Sequence, residues 1–179
     1  LQRALRECKP THAVVIFEGR EPNWRHLLYR DYKSNHKPMP AALRDALPAY
    51  RNAFAELGVT SFEMPKVEAD DVIGTLAVKI AEAGSQAVIL STDKVFLQLL
   101  SDKILVRDHF KQSYLDRAYV AQRFGVKPET FVDFLALAGD NTNSIRGVPG
   151  VGPKTAAKLI EDFGSLDEIL AATESAKSD

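Results

Sequence analysis

An α/β domain with a mostly parallel sheet flanked by helices, followed by an all-helical part, is the fold class this sequence predicts. Three observations carry that reading. Short, continuously apolar runs at 12–17 and 86–91 fit strands buried on both faces of a parallel sheet. Helical periodicity fills the interval between them. Beyond Tyr114 the strand signals stop and every later pattern is helical.

Leu1 to Cys8 reads as the end of an amphipathic helix, with Leu1, Ala4, Leu5 and Cys8 on one face, and a strand upstream of it is expected. His12 to Phe17 is the first apolar strand, Gln86 to Ser91 the second and Lys103 to Arg107 a third. Helices are predicted over about Ala41 to Leu57, Ala69 to Ala83 and Val95 to Leu100. The later helices are Tyr114 to Phe124, Pro128 to Leu137, Pro153 to Phe163 and Leu166 to Ala172, several opening on proline at the first turn. The chain therefore divides near 108–115 into an α/β part, 1–112, and a helical part, 113–179. The polar residues from Glu174 to Asp179 read as a frayed end.

Composition narrows the function. At 179 residues, 45% of them hydrophobic, the chain has length and apolar content for one domain with an appendage. No apolar run approaches the roughly 20 residues of a membrane span. A single cysteine cannot close an internal disulfide, which points to a reducing compartment and a cytoplasmic protein. The net charge of −1 conceals a segregation. From Arg20 to Arg51 there are seven basic residues (Arg20, Arg25, Arg30, Lys33, Lys37, Arg44, Arg51) against three acids, a net +4, with His26 and His36 in addition. From Glu56 to Asp71 there are five acids against Lys66 alone, a net −4. Two solvated surfaces of opposite sign explain this, and so does a polyanion-binding surface beside an acidic metal cluster.

Glu68, Asp70 and Asp71 precede a helical pattern, where acids also simply favour the helix dipole. Asp93 and Glu18 lie just past the carboxyl ends of two predicted strands, the edge where sites form in open α/β sheets. Carboxylates gathered there repel unless a cation neutralises them, and such hard oxygen ligands suit Mg²⁺ or Mn²⁺. No Cys/His cluster offers zinc-ligand spacing.

Gly147-Val-Pro-Gly150-Val-Gly152-Pro153-Lys154-Thr155 is the most specific local signal. Pro153 stands where a P-loop needs lysine, and no buried strand leads in, so an ATPase loop is excluded. What remains is Gly-apolar-Gly opening a helix: a tight interhelical turn, or the helix–hairpin–helix pattern whose backbone N–H groups and Lys154 meet a phosphate.

These blocks, with Phe17-Glu18, Trp24-Arg25, Tyr32 to Pro40, Ser91-Thr92-Asp93-Lys94 and Ala138-Gly139-Asp140, resemble the 5′-nuclease (flap endonuclease) family across nearly the whole chain. Most similar are the stand-alone bacterial exonuclease IX-type enzymes, and next the 5′-nuclease domain of bacterial DNA polymerase I. The resemblance implies a PIN-like core with a helical arch at about 25–57 and a helix–hairpin–helix (H3TH) subdomain. It implies a monomeric bacterial enzyme on the nucleoid that hydrolyses DNA phosphodiesters at 5′ flaps or free 5′ ends in replication and repair. Glu68, Asp70, Asp71 and Asp93 would hold the first metal, with Glu18 in place of the family's Asp and Asp140 left at the second. Lys33 and Arg25 would steer or polarise the phosphate, and Tyr32 would stack on an unpaired base. Gly150, Val151, Gly152, Pro153, Lys154 and Thr155 would grip duplex DNA. Carbonyls of Leu137, Ala138, Arg146, Val148 and Val151 would hold K⁺. The sequence departs from the family at Val95 and Asn143, where two-metal members carry Asp, so one well-bound Mg²⁺ or Mn²⁺ site is expected. That depletion keeps open a flap- or duplex-binding protein with little nuclease activity. His36 stands where Arg is common in that family, so the resemblance would imply a pH-sensitive phosphate grip.

Overall fold

The computed structural model describes residues 1–19 and 21–176. Arg20 of the basic stretch, and the last three residues of the expected frayed end, lie outside the described residues. In chain order the elements are α1 (Gln2–Cys8), β1 (Val14–Phe17), α2 (Trp24–Leu28), α3 (Ala41–Glu56), β2 (Thr60–Glu63), α4 (Ala69–Glu82), β3 (Ala87–Leu90), β4 (Ile104–Asp108) and β5 (Ser113–Leu115). Then come α5 (Arg117–Phe124), α6 (Phe131–Ala138), α7 (Pro153–Phe163) and α8 (Leu166–Ser175). Short 3₁₀ helices occupy Lys94–Leu99, Pro128–Thr130 and Asn141–Asn143.

Parallel pairing dominates, as expected, but the strands form two sheets. β1 pairs with β2 in parallel, Val14 opposite Thr60. β3 pairs with β4 in parallel, and β4 with β5 antiparallel, Val106 opposite Leu115. β1 and β3 do not pair with each other. Residues of both line one cavity of about 480 Å³, together with Leu1, Leu5, Ile73 and Ile80.

Three elements differ from the sequence reading, each for a local reason. The expected helix from Tyr114 begins at Arg117, because the Asp116 side chain accepts the Tyr119 N–H at 2.8 Å and fixes the start there. Ser113–Leu115 instead join the sheet, and buried Leu115 faces the core, which places these residues with the α/β part. The expected helix Val95 to Leu100 is a 3₁₀ helix, started by Asp93, whose Oδ1 accepts the Val95 N–H at 2.9 Å. The helix from Pro128 is a 3₁₀ turn followed by α6.

One core serves both parts. Phe96, Leu97 and Val106 from the sheet side meet Val120, Phe131, Ala156 and Ile160 from the helical side. Phe124, Phe131 and Phe134 pack with centroid separations of 5.0–5.9 Å, a geometry that adds to area burial. The helical part thus packs against the sheet side of the same core. Among the described residues, no helix is long and apolar enough to cross a membrane.

Candidate active site

The start of α4 collects the site. Glu18, just past β1, accepts the Ala69 N–H at 2.9 Å and caps the helix with its carboxylate. Glu68 is 3% exposed and accepts three side-chain hydrogen bonds: Asn23 Nδ2 at 2.6 Å, Tyr32 OH at 2.9 Å and Lys33 Nζ at 2.9 Å. Burial alone raises the Glu68 pKa, but the bonds from Lys33 and Tyr32 and the Lys33 charge outweigh it and hold the carboxyl below its ordinary range. Asp71 receives both guanidinium nitrogens of Arg25, at 2.5 and 2.7 Å. That pair depresses Asp71, with burial opposing and the Trp24 side chain contributing. Burial and the bond to Glu68 push the Tyr32 hydroxyl well above its ordinary value.

Asp70 is the opposite case. Half-buried on the first turn of α4, it is pushed up to about 6 by desolvation, then by the charge of Asp93, with Glu18 and Glu68 adding to it and only Lys33 opposing. Asp70, Asp93 and Asp140 line one cavity of about 1200 Å³, whose wall also carries Lys94, Arg123, Lys154 and Lys158. Asp140 is committed locally: its Oδ1 accepts the Thr142 N–H at 3.0 Å and its Oδ2 the Asn143 side-chain amide at 2.6 Å. Asn143 is therefore a donor to Asp140, and Val95 adds nothing but an apolar wall.

The predicted ligands consequently split into two classes. Glu68 and Asp71 are neutralised by Lys33 and Arg25, whereas Asp70 and Asp93 face the cavity as mutually repelling carboxylates. Among the described residues, no group of three His, Cys, Asp or Glu is gathered for an all-protein cage. Mg²⁺ takes one or two carboxylates and keeps waters or substrate phosphates in its other positions, so the Asp70–Asp93 pair fits such an ion.

The segregated charges also meet one another directly. Arg25–Asp71, Lys33–Glu68 and Arg51–Glu63 are ion pairs, so the basic stretch folds onto the acidic one. Tyr32, expected as a stacking ring, is instead 7% exposed beneath Glu68. Its phenol hydroxyl donates to that buried carboxylate at 2.9 Å.

Sequence reasoning missed Asn23. It is buried, donates to Glu68, and accepts the Arg25 N–H at 3.0 Å as the N-cap of α2. An Asn immediately before Trp24-Arg25-His26-Leu27-Leu28 is the residue type that favours such a cap. The segment from Tyr29 to His36 also docks on the 141–144 loop. Lys33 N–H donates to Asn143 O at 2.9 Å, Asn35 Nδ2 to Asn141 O at 2.9 Å, and the His36 ring lies 2.8 Å from Thr142 O.

The glycine hairpin joins α6 to α7 against this cavity. Gly152 is the extended N-cap of α7 and Pro153 its first residue. The Val148 N–H donates to Leu137 O at 2.9 Å and the Val151 N–H to Val148 O at 3.0 Å. A Cβ on Gly147 would stand 2.4 Å from the Ala138 carbonyl carbon and 2.5 Å from Leu137 O. Gly147→Ala is expected to cost about 3 kcal/mol through backbone displacement. Gly150, at φ +80 with nothing nearby, should lose only about 1 kcal/mol as Ala. Urea midpoints of the two variants measure the contrast; equal midpoints would refute the close approach.

A family model described as 5′-3′ exonuclease, N-terminal resolvase-like domain, matches residues 1–125, and one described as 5′-3′ exonuclease, C-terminal SAM fold, matches residues 126–179. The chain is 46% identical over 171 residues to flap endonuclease Xni of Cronobacter sakazakii, covering 94% of this chain and 68% of that protein. It is 47% identical over 174 residues to flap endonuclease Xni of Colwellia psychrerythraea, covering 97% and 60%. The chain thus spans about two thirds of the length of these relatives (60–68%). Among solved structures, the bacteriophage T5 5′-exonuclease with bound divalent zinc matches with a TM-score of 0.81 at 23% identity, over 96% of this chain and 67% of that one. The catalytic core of Rad2 in complex with DNA substrate matches with a TM-score of 0.60 at 19% identity, over 93% and 50%. At these identities the structural likeness speaks for the fold.

Proposed function

The chain belongs to the 5′-3′ exonuclease family, and on that premise we propose that it is a structure-selective, divalent-metal-dependent 5′-nuclease acting at 5′ flaps or free 5′ ends of DNA. The observation that carries the proposal is Asp70, which has no ion-pair partner among the described residues, beside Asp93 in a cavity whose rim bears Lys154 of the glycine hairpin. Asp70 and Asp93 are the residues that would hold the metal, Mg²⁺ or Mn²⁺. When bound, such an ion lowers the pKa of a coordinated water and neutralises charge on the scissile phosphate.

The chain's own groups do the positioning. Arg25 spends two of its five donors on Asp71, and Lys33 one of its three on Glu68, so both stay anchored while keeping donors for a phosphate. The backbone N–H groups of Gly150 and Gly152, on the turn that the Val151 N–H closes onto Val148 O, grip the duplex backbone without reading sequence, with Val151, Pro153, Lys154 and Thr155 leading into α7. Carbonyls of Leu137 and Ala138 at the end of α6, with those of Arg146, Val148 and Val151, would hold K⁺; Leu137 and Val148 each keep a lone pair beyond their backbone bond. The α/β core and arch, extended to Leu115 by β5, do the chemistry, and the helical part that follows holds the duplex. The protein works as a monomer in the bacterial cytoplasm, on nucleoid DNA during replication and repair.

A second reading, a flap-binding protein with little catalysis, is favoured by Val95 and by Asn143 occupying Asp140. One assay separates the two. The protein is incubated with a labelled 5′-flap oligonucleotide and Mg²⁺ or Mn²⁺. Metal-dependent product is the expected result; tight binding with no product in either metal selects the second reading. Affinity should also fall steeply with salt, as counterion release requires, and a flat response counts against both.

A further inference from the structure

Two aromatic rings lie beside the acidic cluster, and the fold treats them oppositely. Tyr32 is buried with its hydroxyl on Glu68. Trp24, the chain's one tryptophan, is 50% exposed. It opens α2 directly after buried Asn23, whose two hydrogen bonds to Glu68 and from the Arg25 N–H fix that turn. The Arg25 guanidinium lies 4.5 Å from the indole centroid and is itself clamped on Asp71, next to cavity-lining Asp70. Among the described residues, no second aromatic ring is stacked on Trp24.

We propose that Trp24 is the stacking platform for an unpaired nucleobase of single-stranded DNA next to the carboxylate cavity. The inference rests on the nuclease reading above and names one subsite within it. An indole face stacks on any base, so the contact is sequence-tolerant, as a structure-selective enzyme requires. Arg25 beneath the ring adds cation–π attraction and pins the ring relative to Asp71, so little freedom remains to be lost on binding. Leu27 and Leu28, 90% and 78% exposed on the same short helix, extend the apolar surface along which further bases can lie. Arg30, Lys33 and Lys37 follow in sequence, against Asp31 alone, which matches a polyanionic strand better than an uncharged protein surface.

Because Trp24 is the only tryptophan, its emission reports on the subsite directly. The full chain in EDTA, where the strands stay intact, is titrated with a 5′-flap oligonucleotide and with the same duplex lacking the flap. Trp24 emission and the anisotropy of a label on the DNA are read together. The flap should quench Trp24 strongly and the blunt duplex should not. Trp24→Ala should lower the flap-to-blunt affinity ratio about 10-fold, and Trp24→Phe about 2-fold, since a smaller ring still stacks. Far-UV circular dichroism checks that both variants fold. Anisotropy showing flap binding while Trp24 emission stays unchanged overturns the inference and leaves the nuclease reading standing. Equal quenching by blunt duplex, or an unchanged ratio in Trp24→Ala, overturns it too. Absence of binding to either DNA sinks the nuclease reading and this subsite with it.

Discussion

Asp70→Asn should abolish metal-dependent cleavage of a 5′-flap substrate, with turnover falling at least about 100-fold, as removal of a group stabilising charge at a reacting centre does. The same substitution should make the metal-free protein more stable. The Asp70 pKa in the fold, about 6, lies above its ordinary 3.8 because of burial and the neighbouring charge of Asp93. A raised carboxyl favours the folded state when protonated, so the Asp70 contribution to stability is most favourable in acid and is lost as pH rises from about 4 to about 6. Above that window the charged Asp70 destabilises the fold by a constant amount, about 1–2 kcal/mol once screening at a half-buried site is allowed for. Asparagine removes that charge. In the wild type a divalent cation relieves the same repulsion and adds stability by mass action. Thermal unfolding at pH 7.5, with and without Mg²⁺, should show a clear metal-induced rise in Tm for the wild type and little for Asp70→Asn. At pH 5 the wild-type shift should shrink, since protons compete for the ligand. Equal metal-induced shifts in the two proteins would remove Asp70 from the metal site.

Glu68→Ala should be the most destabilising of the site substitutions, by about 3–5 kcal/mol, as breaking a buried ion pair is. It would strip the acceptor from the Asn23 amide, the Tyr32 hydroxyl and the Lys33 ammonium at once, and the first two residues are buried with it. Glu68→Gln keeps an acceptor and should cost less, about 1–2 kcal/mol. The Glu68 pKa is held below its ordinary value of 4.5, so its contribution is fully present above that pH and is lost as pH falls through the depressed value. Urea unfolding between pH 3 and 7 measures both effects. The wild type should lose stability in the acid limb, and Glu68→Ala should show a flatter limb from a lower plateau. A wild-type urea midpoint for Glu68→Ala would show that this network does not support the fold.

Much of the architecture was readable from periodicity. The predicted helices at Ala41 and Ala69 end within a residue of α3 and α4, since each is long enough for a 3.6-residue pattern to repeat. β1 and β3 were equally plain as unbroken apolar runs, and β4 as the apolar triplet Ile104-Leu105-Val106. α2, β2 and β5, of three to five residues, carry too few positions for a period to register, and β5 exists because Leu115 finds Val106 across the sheet. In the site, Asp93 beyond β3 lies within electrostatic reach of Asp70. Strand-end placement did not reveal which carboxylates would be neutralised from within, because pairing partners 35 and 46 residues apart leave no local trace.

The sequence by itself determined the family, the helical and strand repertoire, the glycine hairpin and the presence of opposed charges, all of which are encoded in residue type and short-range spacing. Only the tertiary structure decided how those charges are spent. Lys33 and Arg25 quench Glu68 and Asp71, Tyr32 goes under, Trp24 stays out, and Asp70 and Asp93 are left facing the cavity. The physical reason is that a charge's meaning depends on what desolvates it and what stands within a few ångströms, and both are fixed by packing between distant segments.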